Sequence, residues 1–330
     1  MTRPITAIAL AAAVVAAPVT TATAQETLRA QTALPTQHTL SQSFIKHFID
    51  VINEENGAVQ VNLLGGPEVN PQDRAVQALD RGLLDILWIP AAFMTGQVPE
   101  AQSMMLQNIG IDALRENGAF DRYDRIFSEK AGARLLAWSE TSAGYYLYLT
   151  SEPATDDSGV ISLEGLSMRS TGAYRPIIEA LGGSPVAIPS GDVPQGLDRG
   201  VIDGFGWPTV GLVSIGLQDR VSHRVEPSFY HLANVVLINE RKWNGLSDEA
   251  KEQLTRVAMQ YEHSSNEEMD TQGAADVAAG DAAGISAVRM EGAAGDRYLS
   301  TAFEAMWANV RGNIGDEMTE ELRALIYDAD

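Results

Sequence analysis

Apolar positions along the chain follow two alternating periods. Residues 27–31 are predicted to form a first β-strand, and the nearly continuous apolar run at 83–89 is predicted to form a buried one. Between them, segment 40–55 places apolar side chains every three to four residues, and Asn70 marks the start of a second helix over 71–81. This alternation of short strands with helices predicts an α/β fold with largely parallel sheets.

The same alternation restarts after a turn-rich segment, residues 154–159, which we predict to be the first crossing between two domains. Beyond it, strands are predicted at 166–169 and 201–206. The C-terminal part differs, because Ser247 is the predicted cap of one long helix that continues to about residue 283. A short strand and two further helices complete the predicted chain.

The first 24 residues have a pattern of their own. Arg3 is the only charge among them, and an apolar run over 5–17 is followed by small residues that end at Ala24. A short basic start, an apolar core and an A-x-A end are typical of a cleavable signal peptide. A membrane anchor is the alternative, but the run is shorter than the roughly 20 residues that span a bilayer. We therefore expect an exported, periplasmic protein that begins near Gln25.

Composition narrows the functional classes. The 330 residues include 44 Asp and Glu against 23 Lys and Arg, a net charge of −21. Such an acidic surface repels phosphate backbones, so nucleic-acid binding is not expected. The chain has no cysteine, which excludes disulfides, thiolate metal sites and thiol catalysis. Phosphate-loop, paired-histidine and nucleophile-elbow motifs are also absent from the sequence, so neither a cofactor nor a metal is predicted.

One part of the sequence carries a specific resemblance. Residues 163–170 read LEGLSMRS, residues 178–186 read IEALGGSPV, and residues 189–204 read PSGDVPQGLDRGVIDG. Together they resemble the signature of the extracytoplasmic solute-binding proteins of tripartite ATP-independent periplasmic (TRAP) transporters, the DctP-like family. Further matches at 66–85 and 237–247 extend this resemblance over nearly all of the mature chain.

The resemblance implies an α/β, two-lobe clamp of the periplasmic-binding-protein kind. It places residues 25–150 and part of 235–330 in lobe I and residues 151–234 in lobe II, with the long helix spanning both lobes. In that family a small organic acid binds in the cleft, the lobes close over it, and small and large integral-membrane TRAP subunits carry it inward. The protein would then be a binding subunit and not an enzyme. The alternatives are a binding protein for an ABC importer or a sensor kinase and, from another class, a periplasmic enzyme acting on an organic acid.

The resemblance also assigns ligand-binding residues. Arg169 matches the family arginine that grips the ligand carboxylate, and a planar guanidinium can hold both oxygens with parallel hydrogen bonds. Trp207 and Phe205, at the end of the next predicted strand, are also candidate ligand-binding residues, with core packing as the alternative for each. Trp207 stands where many relatives have a polar residue, which favours an apolar or ring-bearing ligand. Tyr146 stands where many dicarboxylate binders carry a second arginine, which favours a monocarboxylate. Only one of Tyr145 and Tyr146 can face the cleft in an alternating strand, and the resemblance favours Tyr146.

Other candidates follow from their positions in the chain. Glu68 matches a family acid after a Gly-Pro turn, where it could bind the ligand or cap the next helix. His38 is equally consistent with a satisfied histidine in a loop, and Trp88 is better explained by core packing. The candidates that lie near a strand end or near the last crossing between the lobes are Gln31, His38, Trp88, Tyr230 and Asn234.

Overall fold

Two β-sheets form the framework of the protein. The computed structural model describes residues 25–328, so the predicted signal peptide lies outside the described residues. The strands are β1 (Glu26–Thr32), β2 (Val59–Gly65), β3 (Ile86–Pro90), β4 (Ala133–Ser139), β5 (Tyr145–Leu149), β6 (Ala154–Thr155), β7 (Ile161–Ser162), β8 (Ser167–Ser170), β9 (Ser184–Ala187), β10 (Gly204–Pro208), β11 (His223–Phe229), β12 (Asn234–Asn239) and β13 (Ser286–Arg289). The first sheet has the order β2-β1-β3-β12-β4, and the second has the order β13-β11-β5-β10-β8-β9.

Helices cover both sheets, as the alternating sequence pattern predicts. The α-helices are α1 (Thr39–Phe44), α2 (Asp50–Glu55), α3 (Ala75–Asp80), α4 (Ile111–Glu116), α5 (Ala119–Ala131), α6 (Arg175–Ala180), α7 (Val193–Asp198), α8 (Glu240–Gly245), α9 (Asp248–Ala282), α10 (Gly292–Ile314) and α11 (Asp316–Ile326). A π-helical segment, Ile45–Ile49, joins α1 to α2 in the region predicted as one helix. No helix within residues 25–328 is long and apolar enough to cross a membrane.

Each sheet forms the centre of one lobe, so the chain is a two-lobe α/β clamp, which confirms the predicted fold class. We call the part built on the first sheet lobe I and the part built on the second sheet lobe II. Strand β12 is buried along its whole length, because helices cover both faces of the first sheet. Strand β3 begins at Ile86, later than predicted, because Leu83 lies in a turn with 57% of its surface exposed.

The change from the first sheet to the second lies earlier than the predicted crossing. Strand β4 belongs to the first sheet and β5 to the second, so the chain crosses within residues 140–144. The turn-rich segment at 154–159 instead belongs to the hairpin of β6 and β7. Turn residues mark where a chain reverses, but long-range strand pairing decides which sheet the next strand joins. The chain returns to the first sheet within residues 230–233, between β11 and β12.

The long helix α9 spans both lobes, as predicted. The Ser247 hydroxyl caps it by accepting a hydrogen bond from the Ala250 N–H at 3.2 Å. Near its start, Gln253 accepts a hydrogen bond from the backbone of β2 in lobe I. Near its end, Asp281 forms an ion pair with Arg224 of β11 in lobe II at 2.9 Å. One continuous helix therefore connects the two sheets outside the crossing segments.

Candidate ligand-binding site

A cavity of about 380 Å³ lies between the two lobes. Its walls follow the carboxyl ends of the parallel strands β1 and β3 in lobe I and β8 and β10 in lobe II, the usual ligand position in open α/β sheets. The lining residues are Leu34, Pro35, His38, Leu40, Pro90, Ala92, Phe93, Tyr145, Arg169, Thr171, Ala173, Tyr174, Ser190, Gly191, Pro194, Trp207, Pro208, Ile215, Leu232 and Asn234.

Arg169 supplies the positive charge of this cavity. Its residue surface is only 5% exposed, and its Nε donates a hydrogen bond to the Ile188 carbonyl at 3.1 Å. Burial lowers the pKa of the guanidinium from its ordinary value, and no Asp or Glu of the described residues balances its charge. An unpaired buried charge is costly, so the remaining guanidinium N–H groups are suited to an anion in the cavity.

Further polar groups in the walls also lack protein partners. The amide nitrogen and oxygen of Asn234 and the indole nitrogen of Trp207 are buried, and within residues 25–328 none makes a hydrogen bond. Most buried polar groups in folded proteins are paired. These groups and Arg169 therefore form a set of unused hydrogen-bonding positions around one cavity.

His38 adds a neutral wall and no second charge. Its Nδ1 accepts a hydrogen bond from the Leu40 N–H at 3.2 Å and so caps α1. Burial lowers the pKa of His38 to about 4, so the ring is neutral near pH 7 and carries its proton on Nε2. No Asp or Glu lines the cavity. The cavity therefore carries one formal positive charge.

Aromatic rings surround the arginine. The guanidinium carbon of Arg169 lies 5.8 Å from the Trp207 ring centroid and 5.9 Å from that of Tyr174. Tyr174 packs edge-to-face on Tyr145 with centroids 5.3 Å apart. Aliphatic side chains, including Leu34 in lobe I, complete the lining. This arrangement suits a ligand with an anionic end and an apolar or ring-shaped body.

The structure brings four of the predicted residues together, namely His38, Arg169, Trp207 and Asn234. The residues that line the cavity without having been predicted include Phe93, Tyr145, Thr171, Tyr174 and Ser190. Thr171 and Tyr174 directly follow β8, which carries Arg169, so their place after a strand end was a usable signal. Phe93 lies three residues beyond the end of β3, so its position offered the same signal.

The choice of Tyr146 over Tyr145 differs from the structure. Tyr145 lines the cavity, whereas Tyr146 does not: it lies on the same face of the second sheet as Trp207, its partner on β10, and its ring packs 5.6 Å from the Arg224 guanidinium. Phe205 is fully buried in lobe II, with its ring 5.6 Å from Tyr148 and 6.0 Å from Trp207. Strand alternation separates the two faces of a sheet, but it does not show which residue reaches the open end of the cleft.

Two of the lobe I candidates stabilise local structure outside the cavity lining. The exposed Glu68 accepts a hydrogen bond from the Gly66 N–H at 2.7 Å, and this bond lowers the pKa of its carboxyl. Gln31 is fully buried and exchanges two 2.8 Å hydrogen bonds with Asn70, one to its backbone and one to its side chain. Asn70 is not the predicted helix cap, because a 3₁₀ turn begins only at Gln72, after Pro71, and α3 begins at Ala75.

The other two candidates outside the lining belong to the core. Trp88 is fully buried, and its indole nitrogen donates a hydrogen bond to the Tyr261 hydroxyl at 3.1 Å. Tyr230 is also buried, and its hydroxyl donates to the Ala302 carbonyl at 2.7 Å. Both side chains have satisfied polar atoms, so they offer nothing to a ligand in this arrangement.

Comparison with known proteins identifies the family. Residues 30–310 match the model of the family described as bacterial extracellular solute-binding protein, family 7 (DctP). The chain belongs to this family. The match spans every residue that lines the cavity. It confirms the resemblance to DctP-like TRAP solute-binding proteins.

Relatives and solved structures agree with this assignment. The chain is 21% identical over 284 residues to the C4-dicarboxylate-binding periplasmic protein DctP of Rhodobacter capsulatus, covering 82% of this chain and 79% of that protein. The periplasmic ectoine-binding protein of the TeaABC TRAP transporter of Halomonas elongata has a TM-score of 0.75 at 18% identity, covering 91% and 99% of the two chains. DctP7 of Bordetella pertussis, described as binding pyroglutamic acid, has a TM-score of 0.76 at 13% identity with the same coverages of 91% and 99%.

Proposed function

We propose that this protein captures a small organic acid with a single carboxylate in the periplasm and presents it to the small and large TRAP membrane subunits. The observation that carries the proposal is Arg169, a buried arginine without an acid partner in the described chain that faces the cavity between the lobes. One guanidinium balances one carboxylate, and no second charged side chain lines the cavity because burial keeps His38 neutral.

Charge is a better guide to the ligand than family membership. Solved relatives are described as binding ectoine, pyroglutamic acid and orotic acid, so the ligand class has to be argued from this chain's own cavity. A second ligand carboxylate would be buried without a cationic partner, which is strongly unfavourable. A ligand ammonium would likewise meet no carboxylate. The rings of Trp207 and Tyr174 favour an apolar or ring-shaped body.

Capture would work by closure of the lobes. Arg169 and Trp207 come from lobe II, whereas His38 and Asn234 come from lobe I. A ligand that contacts both walls has a higher affinity for the closed state and shifts the equilibrium towards it. We expect the chain to bend at the crossing segments 140–144 and 230–233, where it passes from one sheet to the other.

Thermal-shift screening with paired acids tests the proposal. A ligand present at 100 times its Kd should stabilise the protein by about 2.7 kcal/mol, which is several degrees. Residues 25–330 would be screened against monocarboxylates, the dicarboxylates of matching length, and amines. We expect shifts with monocarboxylates that Arg169→Met abolishes.

Selective shifts with dicarboxylates or amines would contradict the proposal. If no compound shifts the melting temperature, the protein would be denatured and the released small molecules analysed by mass spectrometry. A released compound without a carboxylate, or no released compound, would equally contradict it.

A further inference from the structure

The amide of Asn234 is an unused hydrogen-bonding group on the wall opposite Arg169. Asn234 has no exposed surface, lines the cavity, and has neither amide atom hydrogen-bonded within residues 25–328. Its backbone is held rigidly, because β12 pairs with β3 on one side and β4 on the other at this residue. Strand pairing therefore fixes the backbone position of Asn234 inside the first sheet, and its side chain is buried there.

The Glu140 carboxyl lies beside this amide and makes its strong hydrogen bonds elsewhere. Its two oxygens accept 2.5 Å hydrogen bonds from Ser139 and Tyr261. Burial raises the pKa of the carboxyl, and the Asn234 amide helps to offset that rise without reaching full hydrogen-bond geometry with it. Ser139 also donates to the backbone carbonyl of Asn234 at 3.2 Å. This network stabilises the position of Asn234 and leaves both atoms of its amide without a partner of ordinary geometry.

An asparagine amide presents a donor and an acceptor side by side. Leaving either of them buried and unpaired costs free energy, so a ligand gains affinity when it satisfies both. A primary amide or lactam presents the complementary acceptor and donor at the same spacing and can form two parallel hydrogen bonds. A charged group would pair with only one of the two atoms.

We propose that Asn234 recognises an uncharged amide-type group of the ligand, so that the ligand is an amide- or lactam-bearing monocarboxylic acid. This inference rests on the proposed function, since Arg169 is assigned to the carboxylate. Arg169 on lobe II and Asn234 on lobe I then hold opposite ends of one molecule. Asn234 is then the lobe I residue that determines ligand specificity.

Matched pairs of acids test the inference. Pyroglutamate would be compared with cyclopentanecarboxylate, and succinamate with pentanoate, by isothermal titration of residues 25–330. We expect each amide-bearing member to bind about 5- to 150-fold more tightly, the range set by leaving a buried polar group unpaired. Asn234→Leu should remove this preference, whereas Asn313→Leu, at an exposed position on α10, should keep it.

A second variant and a stability measurement without ligand distinguish a loss of ligand recognition from a loss of folded structure. Asn234→Asp keeps the shape but replaces the donor, so it too should lose the preference for amides. The ligand-free Asn234→Leu protein should melt no lower than the wild type, because it loses two unpaired polar atoms; a clear drop would show that the amide is structural. Equal binding within both pairs, or no binding of either amide-bearing acid, would overturn the inference. If acids still bind in an Arg169-dependent way, the proposed function stands without it.

Discussion

Replacing Arg169 with methionine should weaken ligand binding while leaving the ligand-free protein at least as stable as the wild type. Most buried arginines would give the opposite result, because their removal leaves a buried acid unpaired. Arg169 has no acid partner in the described chain, and its Nε makes one hydrogen bond, to the Ile188 carbonyl. Methionine fills similar space and removes a desolvated charge.

The size of the binding effect follows from the lost contacts. A hydrogen bond to a charged group contributes about 1.5–3 kcal/mol, which corresponds to a roughly 10- to 150-fold rise in Kd for one such bond. Isothermal titration with the acid found in the screen measures this change. Thermal unfolding of the ligand-free protein measures stability separately.

Arg175→Met is the matched control in the same lobe. The Arg175 side chain is 61% exposed and pairs with Glu179 one helical turn away, an interaction worth about 0.3–0.5 kcal/mol. Neither affinity nor melting temperature should change much. The reasoning would be refuted if Arg169→Met kept full affinity, or if it destabilised the ligand-free protein by more than about 1 kcal/mol beyond this control.

Three other substitutions have defined outcomes. Burial raises the pKa of Glu140 to about 7, so the contribution of Glu140 to the free energy of unfolding falls as pH rises from about 4.5 to 7. The stability of Glu140→Gln relative to wild type should therefore increase with pH, by up to about 3 kcal/mol at pH 8. A stability difference that does not change with pH in thermal unfolding would contradict this. Gly206→Ala places a methyl group 2.5 Å from the Tyr174 ring, so it should lower the free energy of unfolding by about 1–3 kcal/mol and weaken ligand binding in titration. Gly96→Ala, where nothing lies within 4 Å of the added methyl group, should do neither. Ser247→Ala removes the α9 cap and should cost about 0.5–2 kcal/mol in urea unfolding; no loss would show that the cap is dispensable.

Much of the fold could be predicted locally. The strand at 27–31, the helix at 40–55 and the long helix after Ser247 all appear close to their predicted limits, because local periodicity and capping determine them. Strand β11 was missed, since its polar residues and Pro227 do not form an apolar run. The pairing of β11 with β5 and β13 compensates for that weak local pattern.

The candidate site was predictable only in part. Arg169 was found because it lies at a strand end within a recognisable motif, and Trp207 because it follows the next strand. Glu68 and Gln31 were also polar residues near strand ends, but a nearby N–H group and the Asn70 amide are their partners. A sequence does not show whether a polar side chain already has a partner in the protein.

The amino-acid sequence by itself determined the α/β alternation, the family and the arginine at the end of β8, since these depend on local periodicity and on short contiguous motifs. Only the tertiary structure decided that β5 joins the second sheet, that Tyr145 and not Tyr146 reaches the cavity, and that Arg169 and Asn234 both line it without an ion-pair partner for the arginine or a hydrogen bond to the amide in the described chain. Those features depend on strand pairing and on contacts between residues far apart in the chain, and such contacts exist only once the two lobes have folded around the cleft.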